Sequence, residues 1–262
     1  MVAGLTYEQA LSALGVISGM AMPLLLLPVA LVSSVCTALL PAVTAAQAVG
    51  NIKRVQALIG RSVSTVGLIA LPATAVLIPL APQLSEFFFG QPLTAGYVAL
   101  LGAVAIVSYY QMSSGSLLNA LGLQHLNVVT AVSAELVQLC LMYRWCARPT
   151  LGIYGYLLAM LLTSAGAFLI NFCILQRHTG FAVRPLRRFG VPLLCGATPF
   201  CWTRIFYSVL QEYLMNDIAA LGATVCGAGL LYVVVLRLLG IRLIRYLSRR
   251  IEKPQMPNVC MW

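Results

Sequence analysis

SVSTVGLIALPATAVLIPLAPQLS, Ser62 to Ser85, carries no Asp, Glu, Lys or Arg. A helix needs about 20 consecutive apolar residues to cross the hydrocarbon core of a bilayer, and helices buried in soluble domains are usually shorter. Pro149 to Gln176 and Ile218 to Leu236 repeat the pattern, while Gln9 to Ile52 and Phe87 to Ala134 are uncharged over lengths too great for one ordinary span. Hydrophobic residues make up 61% of the chain and charged ones 8%, against about a quarter charged in soluble domains. The solvent for most of this surface is lipid.

The net charge of +10 does not describe a nucleic-acid binder, because the basic residues flank apolar segments and form no patch with stacking aromatics. The eight cysteines form no CxxC pair and no Cys/His cluster of metal-ligand spacing, so the sequence suggests neither a metal nor a disulfide framework. Catalysis is a poor fit too. His125, His178 and the lone aspartate, Asp217, fall in separate connectors, and no phosphate-binding lysine loop is present. Lys53 and Lys253 lie outside the spans, which excludes a retinal Schiff base. No cofactor is expected.

The expected fold is an all-α membrane protein of about seven transmembrane helices. The first occupies roughly 11–45, where Pro23, Pro28 and Pro41 force kinks or divide it into a hairpin of two short helices. A turn at Gly50 and Asn51 leads to a second span over 62–81, and a turn holding Pro82, Glu86, Gly90 and Pro92 precedes a third over 94–112. Ser113 to Ser116 weaken its end, and 119–127 reads as a connector. Further spans follow at 128–143, 151–175, 189–210 and from Ile218 to about Leu239, with a turn at Glu212, Asn216 and Asp217 before the last. Ile241, Ile244, Leu247 and Ile251 then recur at helical spacing opposite Arg242, Arg245, Arg249 and Arg250, the pattern of an amphipathic helix at a membrane surface.

Charge placement orients the chain. With seven spans, thirteen of the sixteen Lys and Arg residues fall on one side, and only Arg144, Arg148 and Arg204 on the other. The richer side is cytoplasmic by the positive-inside rule, so the C-terminus is expected inside and the N-terminus outside. Residues 1–10 form no signal peptide, so an odd number of helices is expected upstream; a hairpin at 11–45 would remove that requirement.

GMAMPLLLLPVALVSSVCTALLPAVTAAQAVGN at Gly19 to Asn51, FFFG at Phe87 to Gly90, LLNALGL at Leu117 to Leu123 and LGIYGY at Leu151 to Tyr156 follow one another in this order. Together they resemble the C-terminal half of polysaccharide-type flippases. The likeness is to the stage V sporulation protein B group of the multidrug/oligosaccharidyl-lipid/polysaccharide exporter superfamily. The resemblance implies a multi-pass protein of the bacterial cell membrane with two lobes around a central cavity, moving lipid-linked sugars by alternating access for cell wall, spore or surface polysaccharide. This chain would supply one lobe plus two extra helices: 1–175 as lobe, 176–239 as the additional pair, 240–262 as a basic cytoplasmic tail. Its partners would be the lipid-linked sugar, membrane lipids, and a missing N-terminal half or further copies of itself. The chain departs from relatives in two places. Residues 11–45 hold no arginine, which lipid II flippases carry there, so specificity for lipid II is not implied. Glu135 stands in a helix where relatives often place lysine. A drug or cation antiporter of the same superfamily and a nontransporting membrane scaffold are the alternatives.

Site candidates follow from the cost of polar groups in lipid. Glu135 is the only acid well inside a span, which suggests the transport pathway or ion coupling, or a structural carboxylate facing another helix. Gln138 follows nearly in line one turn on, and Gln111 and Asn171 are further embedded amides that either bind helices together or touch substrate. Pro23 and Pro28 expose backbone groups toward a cavity, as broken helices do in transporters. Arg184, Arg187 and Arg188 suit a lipid phosphate, or simply set topology. Arg204 snorkels outward.

If the basic tail is cytoplasmic, Cys260, with the other cysteines replaced, should resist an impermeant thiol reagent in intact cells and react after lysis. Labelling in intact cells would invert the topology.

Overall fold

The computed structural model describes residues 7–90, 95–148, 151–180, 191–213 and 217–238. The elements among them are all helical: α1 (Tyr7–Val16), a π-helical turn (Ile17–Ala21), α2 (Met22–Leu25), α3 (Val29–Ala48), α4 (Ile52–Phe89), α5 (Ala95–Ala120), α6 (Gln124–Cys146), α7 (Gly152–Thr179), α8 (Val191–Tyr213) and α9 (Asp217–Leu238). Six of them, α3, α4, α5, α6, α7 and α9, are long and apolar enough to cross a membrane. The protein is an all-α, multi-pass membrane protein. The remaining span expected from sequence, over 189–210, falls on α8, a 23-residue helix that holds Pro199 and Arg204 and is not among those six. The surface-helix candidate at 241–251 and Arg184, Arg187 and Arg188 lie outside the described residues.

The first segment is one broken helix. Pro23 lacks an N–H and its ring crowds the preceding turn; just before it the Met22 N–H reaches back to the Ile17 carbonyl, so the helix is wound one residue wider than α. Residues 26–28 form a turn, and Pro28, at φ −66°, caps the start of α3. The arms of a hairpin would lie side by side. Instead α1 touches α7, α2 lies on α4 and α5, and α3 packs along α4 and α5.

α4 corrects the expected turn at Pro82. Its 38 residues would extend about 57 Å at about 1.5 Å per residue, well beyond a hydrocarbon core of about 30 Å. The helix passes Pro72, Pro79 and Pro82 and closes only at Gly90, whose φ of 70° and N–H to the Glu86 carbonyl make a left-handed cap. A proline inside a helix deletes one backbone donor; it stops the helix only if the orphaned carbonyl and the bend find no accommodation. At Pro72 the orphan is the Leu68 carbonyl, and the Tyr232 hydroxyl of α9 donates to it.

The reading of Ser113 to Ser116 as a weakened end, and of 119–127 as a connector, is also corrected. α5 runs through to Ala120 and α6 starts at Gln124, the turn resting on Gly122 at φ 73°. The serines do not end the helix because they are satisfied within it: Ser113 Oγ meets Ser62 Oγ of α4 at 3.1 Å, and Ser114 Oγ donates to the Gln111 carbonyl at 2.8 Å.

Polar side chains also bind the helix ends together. Thr44 Oγ1 donates to the Ala120 carbonyl (3.2 Å), Gln47 Nε2 to the Leu121 carbonyl (3.0 Å) and Gln56 Nε2 to the Thr179 carbonyl (2.8 Å). These bonds gather the C-termini of α3, α5 and α7 and the N-terminus of α4 at one end of the bundle, with Lys53, Arg54 and Arg177. Arg144 and Arg148, at the end of α6, lie at the other. α8 runs alongside the far half of α4, with Pro192 against Gly67, Gly196 against Leu71 and Tyr207 beside Leu80, so Arg204, exposed on α8, lies toward the Arg144 end. The main core, around Ile17, Val32, Val66, Leu101, Tyr109 and Leu157, ties the broken helix to α4, α5 and α7.

Tyr232→Phe should lower stability in detergent by about 1 kcal/mol, the scale of a hydrogen bond in a membrane bundle. The loss should shrink in a Pro72→Ala background, where residue 72 regains an N–H for Leu68. A thermal-unfolding double-mutant cycle with no coupling would show that the hydroxyl does not stand in for the missing donor.

Candidate functional site

Residues 108, 111, 112, 115, 116 and 119 recur on one face of α5 at helical spacing. Against that face lie Asn127 and Ala131 of α6, and Ala167 and Asn171 of α7. The three helices enclose an open cleft of about 430 Å³, lined by Ser108, Gln111, Ser116, Asn119, Asn127 and Asn171 together with small or flexible apolar residues. Its amides and hydroxyls run from Ser108, midway along α5, to Asn119 and Asn127 in the last turn of α5 and the first turn of α6, on three helices long enough to cross a membrane. None of the lining side chains among the described residues is ionisable.

The amides are ordered as a chain. Asn171 Nδ2 donates to Asn127 Oδ1 at 3.3 Å, and Asn127 Nδ2 donates to Asn119 Oδ1 at 3.1 Å. Asn171 is 3% exposed, and its Oδ1 has no donor. Close helix approach makes the arrangement possible: a Cβ on Gly115 would sit 2.8 Å from Asn127 Oδ1, so only a residue without a side chain leaves room for the amide between α5 and α6.

The candidates from sequence separate in space. Gln111 lines the cleft, as does Asn171. Gln138, farther along α6, lies with its Oε1 3.0 Å from the Thr163 hydroxyl of α7, which is also 2.8 Å from the Ala159 carbonyl; it joins α6 to α7 away from the cleft. Glu135 is exposed on α6, one turn beyond Ala131 on the flank of the helix nearest the cleft. Pro23 is exposed and Pro28 buried, both in the broken segment that packs on α4 and α5, and neither lines the cleft. Ser108, Ser116, Asn119 and Asn127 were not singled out in the sequence. Their signal, a polar stripe at i, i+3, i+4 spacing, is hidden when 113–127 is read as a helix end and a connector.

The class of the molecule is therefore a helical membrane bundle with an uncharged polar cleft between three of its spans. Over 241 residues, 90% of the chain, it is 22% identical to Stage V sporulation protein B of Bacillus subtilis (strain 168). The match falls on that protein's C-terminal half, and the chain spans 45% of its length. No family model and no solved structure matches the chain.

Gly115→Ala should displace Asn127 and cost about as much stability as Asn127→Ala, with the two losses overlapping in the double variant. Additive losses in detergent melts would mean that Gly115 does not serve the amide chain.

Proposed function

We propose that this chain forms one half of a membrane flippase or exporter of lipid-linked oligosaccharide or polysaccharide precursors, destined for cell wall, spore cortex or surface polysaccharide. The observation that carries the reading is the similarity to Stage V sporulation protein B, which extends through 90% of the chain. Two features support it. The first helix is broken at Pro23 and Pro28, and broken helices recur in transporters where backbone lines a cavity. The uncharged cleft offers hydrogen bonds within the spans, where polar groups are costly without a role.

In this reading α1 to α7 form a lobe, α8 and α9 are additional helices, and the end bearing Lys53 and Arg54 is cytoplasmic. Transporters of this kind build the substrate site between two repeats, so a second half must face this one, whether as preceding helices, a separate chain or a second copy. The exposed face of α6 is where that half is needed most. Only 6% of the α6 span is buried within the chain, yet it carries Glu135, and a carboxylate turned to lipid is expensive.

Membranes in which both halves are present should translocate a fluorescent polyprenyl-linked sugar, and the chain purified as a monomer into liposomes should not. Robust flipping by the monomer would refute the two-half reading; export of cationic drugs with no sugar-lipid movement would favour an antiporter instead. The position of Glu135 supports a coupling role within this scheme. Glu135→Gln should reduce transport at least tenfold at unchanged membrane abundance, and undiminished transport would leave Glu135 structural.

A further inference from the structure

The cleft between α5, α6 and α7 has a chemistry that selects among ligands. Among the described residues its polar lining consists of amides and hydroxyls, each able to donate and accept, with no ionisable side chain. At about 430 Å³ it falls within the range of small-molecule sites, about 300–1,000 Å³. The two hydrogen bonds run from Asn171 Nδ2 to Asn127 Oδ1 and from Asn127 Nδ2 to Asn119 Oδ1, so Asn171 alone cannot turn its amide over without setting its oxygen against that of Asn127. That leaves Asn171, which lines the cleft, with an acceptor Oδ1 that is buried and without a donor. A buried acceptor calls for a donor from whatever fills the site.

We propose that this cleft is the subsite for an uncharged sugar ring of the transported lipid, and that it discriminates against acidic sugars. The inference rests on the flippase reading and adds which part of the substrate this half holds. A sugar presents many hydroxyls, matching groups that both donate and accept; one hydroxyl donates to Asn171 Oδ1, and others meet Gln111, Ser108, Ser116 and Asn119 nearer the rim. The diphosphate of the carrier does not belong here, because no side chain among the described lining residues neutralises it. A uronate fails for the same reason, since a carboxylate taken from water without a cation loses its hydration uncompensated.

The test uses Met112→Cys as reporter, a cleft residue that is partly exposed, with the other cysteines replaced, in membranes where both halves are present. The measured quantity is its alkylation rate by a water-soluble maleimide. A polyprenyl-diphosphate-linked neutral hexosamine should slow alkylation at least tenfold, and the same lipid bearing a uronic acid, or polyprenyl diphosphate alone, should not. Asn171→Leu and Asn171→Asp should both abolish protection by the neutral sugar. Equal protection by the bare lipid would make the cleft a lipid site, equal protection by the uronate would remove the selectivity, and no protection by any ligand would overturn the subsite. Translocation of the neutral sugar lipid is followed in the same membranes. Translocation without protection defeats the subsite alone, whereas absence of translocation defeats the flippase reading beneath it.

Discussion

A backbone carbonyl inside a bilayer has no water to accept from, and this bundle is organised around meeting that demand. Its longest helix, α4, holds Pro72, Pro79 and Pro82, each of which deletes a donor. The clearest case joins two distant segments: Pro72 strips the Leu68 carbonyl of its helical partner, and Tyr232, 164 residues further on, supplies the hydrogen bond from α9. The same demand is met at the helix ends, where Thr44, Gln47 and Gln56 donate to the last carbonyls of α5 and α7. In each case a side chain from a neighbouring helix replaces a backbone donor, so satisfying the local chain also fixes which helices meet.

Against this background an unsatisfied group is informative. Hydroxyls such as Thr74, Thr130, Thr203 and Thr224 return their proton to a carbonyl one turn back. The cleft departs from that economy. Its asparagines bond to one another across three helices and leave one buried acceptor open, as Gln47 Oε1 and Gln83 Oε1 are left elsewhere in the bundle; what sets this one apart is that its residue lines a cavity. In the proposed function that open acceptor has a use, because the group that completes the hydrogen bonds can be the cargo, present on one stroke and absent on the next.

Much of the architecture was legible in the sequence because length and charge act locally. Uncharged runs gave the crossings, and the basic residues fall on the expected ends of α4, α6 and α7. Proline was harder, since its effect depends on neighbours. Pro23 and Pro28 do break the first helix, but Pro82 does not end α4, and nothing within 62–89 reports that the surrounding helices hold it straight enough to continue. Serine misled in the same way, because Ser113 terminates nothing once Ser62 is opposite. The cleft was only half legible. Gln111 and Asn171 stood out as lone amides in apolar sequence, whereas Asn119 and Asn127 sit beside a glycine turn and look like loop residues. Gly115 acquires its meaning only when α6 lies against it.

In the proposed function a second protein half covers the flank of α6 that bears Glu135. Leu139 lies one turn beyond Glu135 and is 61% exposed, and Leu169 on α7 is 57% exposed. A photo-cross-linking amino acid at each position, activated in native membranes, reads what lies against them. Position 139 should cross-link to protein while position 169 yields lipid adducts, and lipid adducts alone at both positions would contradict the account.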